Sequence, residues 1–149
     1  MMASNTGYQP DYSFAYREYA QALYDALVED AFYITMEQQL GPQDAAKEAM
    51  LRYLDYSMVE ARDYGTLYFP ETHRHGVAVW SQPLAAEREA QRKHAKIEFL
   101  RHQMDADCAV RYERIADFMS SQSDAIVDTS AWYLSIIGIL PAWQNRGLG

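Results

Sequence analysis

Gln144-Asn145-Arg146-Gly147-Leu148-Gly149 is the stretch whose residue types and spacing could do chemistry. Glycines at 147 and 149 let the chain bring consecutive backbone N–H groups against a diphosphate with no Cβ in the way. Asn145 is one of the few other residues that tolerates a positive φ, and Arg146 adds charge. A helix starting beyond Gly149 would bring its positive dipole end to the same anion. The pattern Q-x-x-G-x-G therefore predicts a backbone cradle for a pyrophosphate.

Such a loop needs a rigid element before it. Ala131 to Leu140 is nearly apolar on both faces, which predicts a central strand covered on each side, ended by Pro141. Upstream, apolar residues at Tyr16, Tyr19, Ala20, Leu23, Leu27, Ala31 and Ile34 carry the three-and-four spacing of one amphipathic helix. Gly41-Pro42 punctuates it, and Pro42 is placed to be the first residue of a second helix. Ala46, Met50, Tyr53, Leu54, Ser57, Met58 and Ala61 form that helix's apolar stripe, and Gly65 is its stop. Thr66 to Phe69 and Gly76 to Trp80 then read as a hairpin around Pro70 to His75. Leu84 to Ser121 is helical, with Ile97, Leu100, Met104, Cys108, Tyr112, Ile115 and Met119 on one face and a break expected near Asp105. Ser120 to Asp124 reads as loop.

The 149 residues, 49% of them hydrophobic, suffice for one domain with a real core. A net charge of -8 argues against nucleic acid as a partner and suits cationic small molecules better. A single cysteine, Cys108, excludes an intrachain disulfide and a zinc-ribbon site. With no basic-then-apolar leader and no apolar run of membrane length, the cytoplasm is the expected compartment and no membrane is expected as partner.

The string from Trp132 through Gly149 resembles motif A of the GCN5-related N-acetyltransferases, in which an aliphatic strand end, x-Pro and two residues precede a Q/R-x-x-G-x-G/A loop. The order of two helices, a hairpin, a helical insertion and the motif strand resembles the puromycin N-acetyltransferase-like branch. The resemblance implies an α/β fold of which residues 1–149 form a single partial acetyltransferase domain, with the mixed central sheet incomplete and the chain ending after the pyrophosphate loop. It implies acetyl-CoA as cosubstrate, without a metal, and transfer of acetyl to a primary amine of a small molecule or peptide. The pantetheine arm would lie along Ile137, Gly138 and Ile139, and the pyrophosphate against Gln144, Asn145, Arg146, Gly147, Leu148 and Gly149. A backbone N–H near Ile137 would polarise the thioester carbonyl. Gly138 suits a bulge or a close ligand approach. The strand carries no carboxylate at 135–137 to act as base, so the catalytic residues stay unassigned. The C-terminal remainder of the fold is the expected partner, and a second copy of the chain is another, since length leaves the oligomeric state open.

Other residues have plainer readings beside a functional one. Glu29 and Asp30 could draw a cationic amine, although a solvated helix face accounts for them. Tyr33, Trp80 and Trp132 could wall an aromatic acceptor pocket, but packing between hairpin and helices is the simpler account. His73 and His75 have strand-like metal spacing without a third ligand nearby, as a polar hairpin tip would. Cys108 falls on a core stripe. The rivals are a non-catalytic helical interaction module with a flexible glycine tail or an inactive fragment, and a P-loop protein, against which the absence of a Lys-Ser/Thr pair counts.

Overall fold

The computed structural model describes residues 11–38 and 40–148. The expectations for the leader up to Pro10 and for Gly149 lie outside these residues. The order is α1 (Arg17–Ala26), α2 (Ala31–Glu37), α3 (Gln43–Tyr64), β1 (Thr66–Tyr68), β2 (Gly76–Ser81), α4 (Ala86–Gln103), α5 (Ala106–Ser123) and β3 (Tyr133–Ile139), followed by a 3-10 turn at Pro141–Trp143. The described strands form one antiparallel sheet in the order β1-β2-β3. It is a mixed, largely helical architecture built on a small sheet.

Helix α3 is the centre of the core. All seven residues of its expected stripe are buried, and its start, one residue after Pro42, and its stop at Gly65 match the expected signals within one position. Asp55 is also fully buried there, which its charge did not announce. Its carboxylate accepts hydrogen bonds from the Tyr12 hydroxyl (2.6 Å) and from the backbone N–H groups of Ala15 (3.2 Å) and Tyr16 (2.6 Å). The charge is thereby satisfied, and the chain entering α1 is tied to the middle of α3.

The expected single helix from Tyr16 to Ile34 is two helices. Asp30 is an N-cap whose side chain accepts from the Phe32 N–H at 2.9 Å, so α2 begins anew at Ala31. Apolar spacing persisted across the turn because both helices pack on α3. Glu29 and Asp30 therefore occupy a turn, not a helix face. The break at Asp105 is present, with Asp105 capping α5 through the Cys108 N–H. Helix α5 then continues through Ser123, where loop was expected, and Met119 is exposed rather than in the core. Serines near a helix end tolerate the helix, and here Ser121 Oγ donates back to the Phe118 carbonyl at 2.7 Å.

Lys96 is buried where α3, α4 and α5 meet. Its Nζ donates to Ser57 Oγ at 3.3 Å and lies 4.5, 5.2 and 5.7 Å from the ring centres of Tyr53, Tyr56 and Tyr112. Cation–π attraction replaces the carboxylate such a charge would otherwise need. Among the described residues no helix is long and apolar enough to cross a membrane.

Two predictions follow from this packing. Asp55→Ala leaves three donors without their acceptor and should lower the free energy of unfolding by about 3 kcal/mol in urea titrations; Asp55→Asn, which keeps an acceptor, should lose less. Burial raises the Cys108 thiol from its ordinary 9.0 to about 11. Burial and the bond to Glu37 push Tyr24 from 10.0 up to about 12. The folded state thus holds protons that the unfolded chain releases first. Stability from these groups is fully present below about pH 9 and falls as pH rises through 11 and 12. Thermal melts from pH 7 to 11 should be flat at first and then drop steeply.

Candidate functional site: a strand edge and the loop beyond it

The site starts with how β3 is held. Helices α1 and α3 cover the sheet face that carries Val77, Val79, Ile136 and Gly138. A Cβ at Gly138 would come within 2.8 Å of Leu23 Cδ2 and 3.2 Å of Ala26 Cβ. Gly138 is therefore set by the close approach of α1, and the bulge expected there is not at this residue. The bulge lies at Ser135, which the register skips between Val79↔Ile136 and Trp80↔Leu134. Its hydroxyl donates to the Val79 carbonyl at 2.9 Å, filling the irregular position.

Strand β3 is not covered on both faces. Ile136 and Gly138 are buried, whereas Ile137 is 48% exposed and Tyr133 is exposed as well, so burial alternates with the pleat. The expectation of a doubly covered strand fails on this face among the described residues. Trp132 is 54% exposed and is not packing material. Tyr33 does pack, against Phe32 and Tyr53, and Trp80 is half-buried.

Strand β3 is an edge strand of the described sheet, paired with β2 alone. The Leu140 N–H donates to the His75 carbonyl at 2.7 Å. Antiparallel alternation then makes Gly138 a hydrogen-bonded partner of Val77 and turns the N–H and C=O groups of Ile137 and Ile139 away from β2. Gln144 agrees with this: its Nε2 donates to the Ile139 carbonyl at 2.9 Å. Of the three expected strand contacts, the structure presents Ile137 and Ile139 at the free edge and directs Gly138 into the sheet.

Beyond β3 the chain closes a 3-10 turn, the Trp143 N–H donating to Leu140 (2.8 Å) and the Gln144 N–H to Pro141 (3.3 Å). Asn145 then adopts φ 62 and Gly147 φ 73, with no other non-glycine at positive φ among the described residues. The sign of φ therefore alternates from Asn145 to Leu148, as it does in the αR-αL nests whose successive N–H groups face an anion. Residues 144 and 145 lie in a turn, and among the described residues the amides of 145–148 make no backbone hydrogen bond of good geometry. From Thr129 to Leu148 the only ionisable side chains are Tyr133 and Arg146. Chemically, the loop and edge can offer backbone donors and one cation to an extended, anionic ligand.

Trp143, which sequence reasoning passed over, joins this loop to the hairpin. Its ring lies 5.0 Å from His75, nearly parallel at 19°, and 5.0 Å from His73. His75 is 6% exposed and so is set apart from the polar hairpin tip, in which Glu71, Thr72, His73 and Arg74 are exposed. Among the described residues no group of three or more His, Cys, Asp or Glu could hold a metal. Cys108 is buried, with its thiol raised by desolvation, which keeps it protonated and unreactive at neutral pH. A groove of about 450 Å³ between α1, α2 and α3 is lined by residues such as Tyr24, Val28, Ile34 and Glu37 and by none from β3 or the loop. No family model, curated protein or solved structure matches this chain.

Gly138→Val should force α1 off β3 and lower stability by about 1–3 kcal/mol, and Gly138→Ala should cost less because Leu23 Cδ2 can rotate. Equal stability of all three proteins in denaturant titrations would remove Gly138 from its place in this packing.

Proposed function

We propose that this chain is the cofactor-binding portion of an N-acetyltransferase of the GCN5-related type, holding acetyl-CoA for transfer to a primary amine. One observation carries the reading: an edge strand with outward backbone groups at Ile137 and Ile139 runs directly into a loop of alternating φ around Arg146 and Gly147. The pantetheine amides would pair with the edge, as an added strand pairs with a sheet. The pyrophosphate would lie on the N–H groups of residues 145–148, with Arg146 supplying charge. The Ile137 N–H, on the free edge, supports a role as donor to the thioester oxygen. In the transfer, the amine nitrogen bonds to the carbonyl carbon, the C–S bond breaks, the nitrogen loses a proton and the departing thiolate gains one. β3 carries no carboxylate or histidine, its one ionisable side chain being Tyr133 at its start, and the remainder of such a fold is the source proposed for the proton-moving groups and for a helix after Gly149.

A second reading, an interaction module, draws on a different observation. Phe118 is 66% exposed near the end of α5, with Met119, Ile126 and Val127 also exposed. It leaves the loop conformation without a purpose, and we favour the first.

Acetyl-CoA at about 100 times its dissociation constant should stabilise the folded protein by about 2.7 kcal/mol, seen as a rise in melting temperature of roughly 5–10 °C. Nothing lies within 4 Å of a Cβ at Gly147, so Gly147→Val is strained chiefly by its positive φ. The variant should fold and lose most of the acetyl-CoA shift. Absence of any shift in the unaltered protein would refute the cofactor assignment.

A further inference from the structure

We infer that Trp143 is a positioning residue for the phosphate-binding loop, holding Arg146 in place by carrying its guanidinium on a ring that the β1–β2 hairpin fixes. The inference rests on the reading of residues 144–148 as a diphosphate site, and it is argued from contacts that reading does not use.

Beyond the turn at residues 144 and 145 the backbone does little to hold the loop, since the amides of 145–148 make no backbone hydrogen bond of good geometry within the described residues. Two side chains brace it instead. On one side, Gln144 donates to the Ile139 carbonyl at 2.9 Å. On the other, the guanidinium carbon of Arg146 lies 4.9 Å from the centre of the Trp143 ring. That ring is itself constrained at both its backbone and its face: the Trp143 N–H closes onto Leu140, and the indole stacks at 5.0 Å on buried His75. His75 is tied to the end of β3 a second time, through its carbonyl and the Leu140 N–H. The His75 Nδ1 atom is buried with no hydrogen-bond partner, so its contribution to this contact is the ring face and not a bond from that nitrogen.

The physical consequence is pre-organisation. A free arginine has several rotatable bonds, and ordering it when a diphosphate arrives would subtract from affinity. Resting it on an aromatic face beforehand removes part of that loss, and attraction between the cation and the ring adds to it. Trp143 touches no reacting atom in this scheme and acts on cofactor affinity through Arg146.

Titration calorimetry of the full chain with acetyl-CoA tests this, using Trp143→Ala, Trp143→Phe, Arg146→Gln and the double variant Trp143→Ala/Arg146→Gln. Trp143→Ala should weaken binding about 5-fold, Trp143→Phe less than about 2-fold, and the double variant no more than about 2-fold beyond Arg146→Gln alone. A purely structural role would instead give losses that multiply. Unchanged affinity in Trp143→Ala, or multiplying losses, overturns the inference. His75→Ala and His75→Phe provide the same comparison if Trp143→Ala does not fold, with Phe retaining the stack. Tryptic cleavage after Arg146, followed by mass spectrometry, separates this inference from the functional reading. If the unaltered protein does not bind acetyl-CoA, the cofactor reading fails. Faster cleavage in Trp143→Ala, restored to the original rate in Trp143→Phe, still supports the brace, and equal rates in all three overturn it.

Discussion

Helix α1 comes close enough to β3 for a single methyl at Gly138 to collide with Leu23 and Ala26, and the geometry of the exposed edge depends on that approach. The contact fixes which face of β3 is buried. Because side chains alternate along a strand, it also sets which residues face outward and, with the hydrogen-bond alternation against β2, which backbone groups reach the edge. The same helix reaches the hairpin through Tyr19 on Phe69, with ring centres 4.7 Å apart, and through the ion pair of Glu18 with Arg74. Its own starting position is held by Asp55, whose buried carboxylate collects three donors from residues 12–16. A charge in the middle of α3 thus reaches, by way of α1, the edge of the sheet.

The candidate site is made almost entirely of backbone. Ile137 and Ile139 offer their main-chain groups, and residues 145–148 offer amides arranged by alternating φ. Such groups carry partial charges that need no proton bookkeeping, and their placement is as rigid as the elements that hold them. The anion site proposed here is compatible with a net charge of -8, because the side-chain carboxylates lie elsewhere in the sequence and none occurs after Asp128. A site of backbone groups is also why the ionisable clusters of the helices do not point to it. Lys96 among three tyrosine rings and Asp55 under α1 are buried charges that organise packing.

Where the sequence was a good guide, the signal was local. The stripe of α3 was readable because one helix buries one continuous face, and the break before α5 because Asp105 is a capping residue. The positive φ of Asn145 follows from residue type and from its place as the third residue of a turn after extended Gln144. Where it misled, two distant elements were involved. The division of α1 from α2 was hidden because both helices face α3, so the apolar period ran on through the turn. Trp132 and Met119 are apolar residues that no described element covers, a fact with no signature in hydropathy. His75 looked like a polar tip because its stacking partner, Trp143, is 68 positions away.

The sequence alone determined the kinds of element, most of their limits, and a loop free to adopt positive φ at Asn145 and Gly147, since these depend on propensity, periodicity and the steric freedom of glycine and asparagine. Tertiary structure decided that β3 is an edge in the described sheet, that Gly138 serves α1 while its neighbours at 137 and 139 face outward, and that Trp143 joins the loop to the hairpin. Each of these is a relation between segments far apart in the chain. Close packing selects among many pairings that local preference leaves equal, and it does so only once the whole core is assembled.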